Sequence, residues 1–204
     1  MVPRVLCITG GMGAGKTVAV DFFREKGWPV YPSDERAKFL VANSSRMQSE
    51  LAKAFGPSAV LSNGTPNASY LGVHAFSTKA GWETLNEIIH PAVHEDFKIW
   101  LHALKGEEFP WVVRESALLF EVGRRADCDR ILLVTAPENL RRARIALRNP
   151  ERSSESLWKR MAFQWDDERK RAQLRSGDFE VANTETKEIF EELLASWFQA
   201  TFAV

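Results

Sequence analysis

Gly10-Gly11-Met12-Gly13-Ala14-Gly15-Lys16-Thr17 has the form G-x-x-x-x-G-K-[ST]. Each residue type in it helps to hold a chain of phosphates. The glycines let the backbone turn so that successive N–H groups face inward as an anion cradle. A helix starting beneath them adds partial positive charge. Lys16 is a point charge able to reach the outer phosphates, and the Thr17 hydroxyl suits Mg²⁺. The flanks fit: Val5-Leu6-Cys7-Ile8 reads as a buried parallel strand, and Val18-Ala19-Val20 with Phe22-Phe23 as the apolar face of a helix. A glycine-rich turn that binds nothing has no need of this strand–loop–helix context, so nucleotide phosphate binding is predicted.

Asp34 comes next. Trp28-Pro29-Val30-Tyr31 reads as a second strand and Glu35 to Leu40 as helix, which places Asp34 at the carboxyl end of a strand. Ligands of open parallel sheets bind at that edge. Two readings stay open: a helix N-cap or first-turn acid, or a catalytic carboxylate beside the phosphates. The position one strand after the glycine loop favours the second. His90, alone on an amphipathic helix, reads by itself as structural. Residues 141–160 carry Arg141, Arg142, Arg144, Arg148, Arg152, Lys159 and Arg160 against Glu151 and Glu155. A charge run is commonly a solvated face, but a phosphate site calls for cations. The break at Asn149-Pro150-Glu151-Arg152-Ser153-Ser154 suits a hinge, with Arg148 standing at it.

The elements that position these groups follow from periodicity. The first helix is predicted over 16–26, closed by Gly27. Further helices are predicted from Arg46 to Phe55 and from Trp82 to Leu104, the latter kinked or split at Pro91. Trp111-Val112-Val113 and Ile131-Leu132-Leu133-Val134 read as strands, Leu157 to Leu174 as a second lid helix, Phe179 to Asn183 as a last strand and Glu185 to Phe198 as a closing helix. Strands separated by helices predict a three-layer α/β fold with a parallel sheet. A single domain over 1–204 is expected. Its core would cover about 1–34, 106–140 and 176–204, with a helical substrate-binding insertion at 35–105 and a lid at 141–175.

Lys plus Arg and Asp plus Glu number 27 each, a net charge of zero that argues against a general nucleic-acid or membrane-surface binder. Cys7 and Cys128 match no metal or redox spacing and read as core thiols in a reducing compartment. The apolar run at the N-terminus stops at the glycine loop, unlike a signal peptide. The expectation is a soluble, cytoplasmic monomer.

A switch GTPase would need N-K-x-D and D-x-x-G, and neither occurs. Motor ATPases end an apolar strand in adjacent acids, whereas the third strand here ends in Arg114-Glu115-Ser116. A small-molecule kinase remains. Thr9 to Thr17, Asp34 with Ala37-Lys38, Ile89-His90-Pro91, Leu118-Leu119-Phe120-Glu121, Arg148, and Arg160 with Gln164 together resemble the dephospho-CoA kinase family, in order along nearly the whole chain. The resemblance implies transfer of the ATP γ-phosphoryl group to the ribose 3′-hydroxyl of dephospho-CoA, with Mg²⁺. It implies ATP binding by Gly11, Met12, Gly13, Ala14, Gly15, Lys16, Thr17, Val18 and Arg148, metal binding by Thr17, and acceptor binding by Asp34, His90 and Leu119. Lys16, Asp34 and Arg148 would be catalytic. The chain departs from the family pattern at Pro32-Ser33-Asp34 (one acid rather than two), Ala68, His94, Ala117, Asn149 and Asn183-Thr184. The alternatives are a kinase with a nucleoside or nucleotide acceptor and an ATP-binding module without turnover.

Overall fold

The computed structural model describes residues 2–148 and 154–202. The strands are β1 (Arg4–Thr9), β2 (Val30–Pro32), β3 (Trp111–Glu115), β4 (Arg130–Thr135) and β5 (Phe179–Ala182), in one sheet of order β2-β3-β1-β4-β5. The helices are α1 (Lys16–Glu25), α2 (Ser33–Ala42), α3 (Ser45–Phe55), α4 (Ala68–His74), α5 (Lys79–Ala103), α6 (Glu138–Arg148), α7 (Ser154–Ala162), α8 (Asp167–Arg171) and α9 (Lys187–Phe202). The pairs β1–β3, β1–β4 and β4–β5 are parallel, as the strand–helix alternation predicts. Cys7 of β1 faces Arg114 on one side and Ile131 on the other. The glycine loop therefore leaves the sheet between the carboxyl ends of two neighbours.

The chain divides into two compact units. One comprises Pro3–Tyr31, Glu107–Pro150 and Gln164–Val204; the other comprises Met1–Val2, Pro32–Gly106 and Glu151–Phe163. In the first, β1 is buried, and α1 and α9 pack together on the face that carries Leu6 and Ile8. Leu6, Ile8, Phe23, Leu132, Phe190 and Leu194 form its core. Aromatic rings fill the space under α9: Trp28 stacks on Trp111 at 6.0 Å, and Phe179 on Trp197 at 5.0 Å. In the second unit, Val41, Met47, Leu51, Leu71 and Leu85 gather α2, α3, α4 and α5 around a separate core. Two bonds from Arg36 to Asp96, of 2.8 and 2.7 Å, fix α2 against α5. Trp82 stacks on Phe163 at 6.1 Å and the Arg160 guanidinium lies over Phe76. Among the described residues no helix is long and apolar enough to cross a membrane.

Three details depart from the pattern reading. Pro91 does not split its helix: α5 runs unbroken from Lys79 to Ala103, because Leu85 before the proline and Val93 and Phe97 after it are all buried. The long lid helix expected over 157–174 is instead α7 and α8. Gln164 and Trp165 between them bond to distant groups, and Asp166 restarts the helix by accepting the Arg169 N–H at 2.7 Å. Of the two structural readings of Asp34, the first-turn acid of α2 holds, while Pro32 takes the cap. Cys7 and Cys128 are buried, as expected of core thiols, yet they form a disulfide across 121 residues of sequence. The β1–β4 pairing sets Cys7 beside Ile131, three residues past Cys128, which brings the two Cα atoms to 5.7 Å. The cysteines thus give no support to a reducing compartment. The hinge expected at 149–154 lies, over 149–153, outside the described residues.

On β5, Glu180 accepts two bonds of 2.6 Å from Arg171 of α8 and one of 3.1 Å from the Thr135 hydroxyl. The Arg171 bond holds its carboxyl below the ordinary value of 4.5, against the opposing effect of burial.

Replacing Phe23, which is fully buried, with alanine should cost about 3–5 kcal/mol and lower Tm by about 10 °C in a thermal melt. Because its folded-state pKa is depressed, Glu180 contributes stability above pH 4.5 that is lost as pH falls through the folded value. The stability gap between wild type and Glu180→Gln, measured by denaturant titration, should be open at pH 6 and close toward pH 3; a gap independent of pH would exclude the ion pair as its source.

Candidate active site

The loop from Gly10 to Thr17 is a cradle of main-chain amides. Gly13 has φ of 79° and Gly15 of 108°, values that only glycine adopts readily. Space excludes a side chain as well: a Cβ on Gly13 would lie 2.6 Å from the Arg141 carbonyl oxygen, and one on Gly15 would lie 2.0 Å from Asn183 Nδ2. The Ala14 N–H bonds back to the Gly11 carbonyl at 3.1 Å. The amides of Gly13, Gly15, Lys16 and Thr17 have no acceptor among the described residues. The last two open α1, where the helix leaves its first donors unpaired. A row of unpaired amides at a helix start is an anion site.

Lys16 Nζ donates to the carbonyls of Gly10 at 3.1 Å and Gly11 at 3.4 Å, and Glu115 Oε1 stands 3.7 Å away. Thr17 is exposed in the first turn and Val18 half-buried. Arg141 of α6 lies over the loop, its Nη1 2.0 Å from where a Gly11 Cβ would be, and its Nε is buried without a hydrogen-bond partner among the described residues. Arg148 ends α6, exposed, seven residues beyond Arg141 and so on nearly the same helix face, about 10 Å further along the axis. Asn183 joins three elements: its Nδ2 donates to Ala14 O at 2.9 Å, its N–H to Thr135 O at 2.8 Å, and its carbonyl and Oδ1 each accept from Arg144 at 3.1 Å. A cavity of about 290 Å³ opens beside this junction, lined by Thr135, Pro137, Arg141, Asp167, Arg171 and Ala182 among others.

A buried ion pair underlies the same region. Lys170 Nζ meets Glu121 Oε1 at 3.1 Å with both side chains fully buried, and donates to the Ala117 carbonyl at 3.0 Å. Burial lowers the Lys170 pKa; Glu121 opposes the shift and the charge of Lys16 adds to it. Leu119, in the same segment, is fully buried.

Pattern reading missed several of these groups. Glu115 was passed over because β3 lacks paired acids, although a carboxylate ending the strand beside β1 was the available signal. Arg141 was one of a basic run, and Asn183 stood only as a departure from a family pattern. Nothing local singles out Lys170. Asp34 and His90 belong to the other compact unit. There Asp34 is exposed, two residues before the Arg36 that fixes α2 to α5. His90 Nε2 lies 3.0 Å from Asn86 Oδ1, one turn back on α5.

Comparison with known proteins points one way. The model of the dephospho-CoA kinase family matches residues 4–188. A dephospho-CoA kinase of Bacteroides fragilis is 34% identical over 187 residues, covering 92% of this chain and 88% of that one. A dephospho-CoA kinase of Mesorhizobium japonicum is 35% identical over 199 residues, covering 93% and 96%. Among solved structures, TT1252 from Thermus thermophilus superposes with a TM-score of 0.76 at 30% identity, over 98% of both chains. Dephospho-CoA kinase from Campylobacter jejuni, at 19% identity and a TM-score of 0.66, shares the fold over 98% of both chains. With its amide cradle, its lysine and a match over nearly its whole length, the chain belongs to the dephospho-CoA kinase family.

Proposed function

We propose that the chain transfers the γ-phosphoryl group of ATP to the ribose 3′-hydroxyl of dephospho-CoA, the last step of coenzyme A synthesis. The observation that carries this is the set of unpaired amides at Gly13, Gly15, Lys16 and Thr17, with Lys16 directed into the loop. In the reaction the hydroxyl oxygen bonds to the γ-phosphorus, the bond to the β–γ bridging oxygen breaks, and ADP leaves. The hydroxyl proton passes to the Asp34 carboxylate, which also aligns the nucleophile. The loop amides and Lys16 neutralise the β and γ oxygens, and catalysis is mainly positioning and charge stabilisation. Lys16 must exchange its carbonyl partners for phosphate oxygens as ATP enters. Arg141 Nε, buried without a hydrogen-bond partner among the described residues, supports a role for Arg141 at the nucleotide, and Arg148 would cover the transferred group.

Mg²⁺ fits the donors available, the Thr17 hydroxyl and the Glu115 carboxylate, because it binds through one or two protein oxygens plus substrate phosphates. When bound it neutralises charge on the β and γ oxygens. Leu119, buried within the Leu118–Glu121 segment, and His90 on α5 would bind the acceptor together with Asp34. The substrates are small molecules, and the enzyme acts as a cytoplasmic monomer.

A coupled assay of ADP release tests the reading: turnover should require dephospho-CoA. ATP hydrolysis without it, or phosphorylation of a nucleoside in its place, would overturn the assignment. Asp34→Asn should lower kcat about 10²-fold or more while calorimetry finds ATP affinity within about threefold of wild type, whereas Lys16→Ala should damage both. Wild-type turnover in Asp34→Asn would remove that residue from the role. Arg148→Ala should lower kcat about 10²-fold; an unchanged rate would leave Arg148 on a solvated face.

A further inference from the structure

Of the loop amides, Met12 N–H is taken by a side chain from far along the chain. It donates to Gln164 Oε1 at 2.8 Å, across 152 residues of sequence. Since Met12 donates, the amide oxygen of Gln164 faces the loop, and the contact fixes which way the side chain is turned. Gln164 is in turn held by its neighbours. Trp165 N–H donates to Glu121 Oε1 at 2.9 Å, the same oxygen that meets Lys170, and Lys170 is tied to the Ala117 carbonyl. Asp166 then caps α8. Three successive residues are thus anchored, two of them on groups outside their own segment.

We infer that Gln164 is a positioning residue for the nucleotide loop: it fixes the Gly11–Met12 peptide so that the following amides turn inward, and the buried Glu121–Lys170 pair fixes Gln164. Its carbonyl oxygen withdraws the Met12 N–H from the phosphate cradle, so it acts through the loop and not on ATP itself. The inference rests on the proposed reading of the loop as the ATP site. A stability role alone does not account for the pair, because a fully buried ion pair is weak evidence for stability. The pair's Glu121 Oε1 is where the Trp165 amide docks.

The test uses Gln164→Leu, which keeps the volume and removes the acceptor, and Gln164→Glu, which keeps an acceptor oxygen at the same reach. In ¹H–¹⁵N spectra the Met12 amide should move upfield in the leucine variant and stay downfield in the glutamate variant. The leucine variant should bind Mg·ATP about three- to tenfold more weakly by calorimetry, the loss expected for one hydrogen bond. Its ATP KM should rise in step, with kcat within about twofold and the KM for dephospho-CoA unchanged. An unmoved Met12 resonance, unaltered ATP affinity, or an equal rise in both KM values would overturn the inference. Should wild type bind ATP but ignore dephospho-CoA, the assigned reaction fails while the Met12 resonance and the ATP dissociation constants still decide the role of Gln164.

Discussion

A loop built to hold phosphates must keep a row of main-chain N–H groups without protein acceptors, and buried polar groups in that state are costly. The rest of the nucleotide-side unit is arranged to meet that cost. Gly13 and Gly15 take backbone angles open to glycine, and the space a side chain would need is filled by the α6 backbone at Arg141 and by Asn183. The carbonyls that the turn leaves exposed are taken by Lys16 at Gly10 and Gly11 and by Asn183 at Ala14. The loop holds its shape through contacts to β5, α6 and the segment before α8, all brought to one edge by the order of the parallel sheet.

That order explains what the sequence made legible and what it did not. Short-range signals were readable: the apolar run before the glycines, the helix after them, and buried strands such as Ile131 to Val134. The loop's chemistry was readable because it is carried by backbone whose angles the glycines announce. Asn183, Glu115 and Gln164 owe their roles to register and topology. Glu115 matters because Ile8 pairs with it, and Gln164 because the chain returns to Met12. The disulfide was missed for the same reason, since only the β1–β4 pairing makes Cys7 and Cys128 neighbours. Pro91 shows the converse. A strong local breaker was overruled by burial on both of its sides.

Charge is organised as alternation around the loop. Lys16 faces Glu115, and Lys170 faces Glu121 with no solvent contact. The whole chain is neutral, so attraction for a triphosphate comes from local placement: amides, the start of α1, Lys16 and Arg141. The carboxylates keep these cations from repelling one another before the anion arrives. Burial lowers the Lys170 pKa, and the raising effects of Glu121 and Asp167 do not fully offset it.

The two compact units hold their candidate site residues in different ways. In the unit that carries the glycine loop, the candidate site is made of backbone and of side chains held by several partners, an arrangement that constrains residue identity tightly. In the other unit, Asp34 stands on a helix that is braced through Arg36 and Asp96 and leaves the carboxylate in solvent. A helix braced in this way fixes where its first turn points whatever lies on the neighbouring surface. The loop's geometry therefore depends on several neighbours, whereas the position of the Asp34 carboxylate depends on one helix and one ion pair.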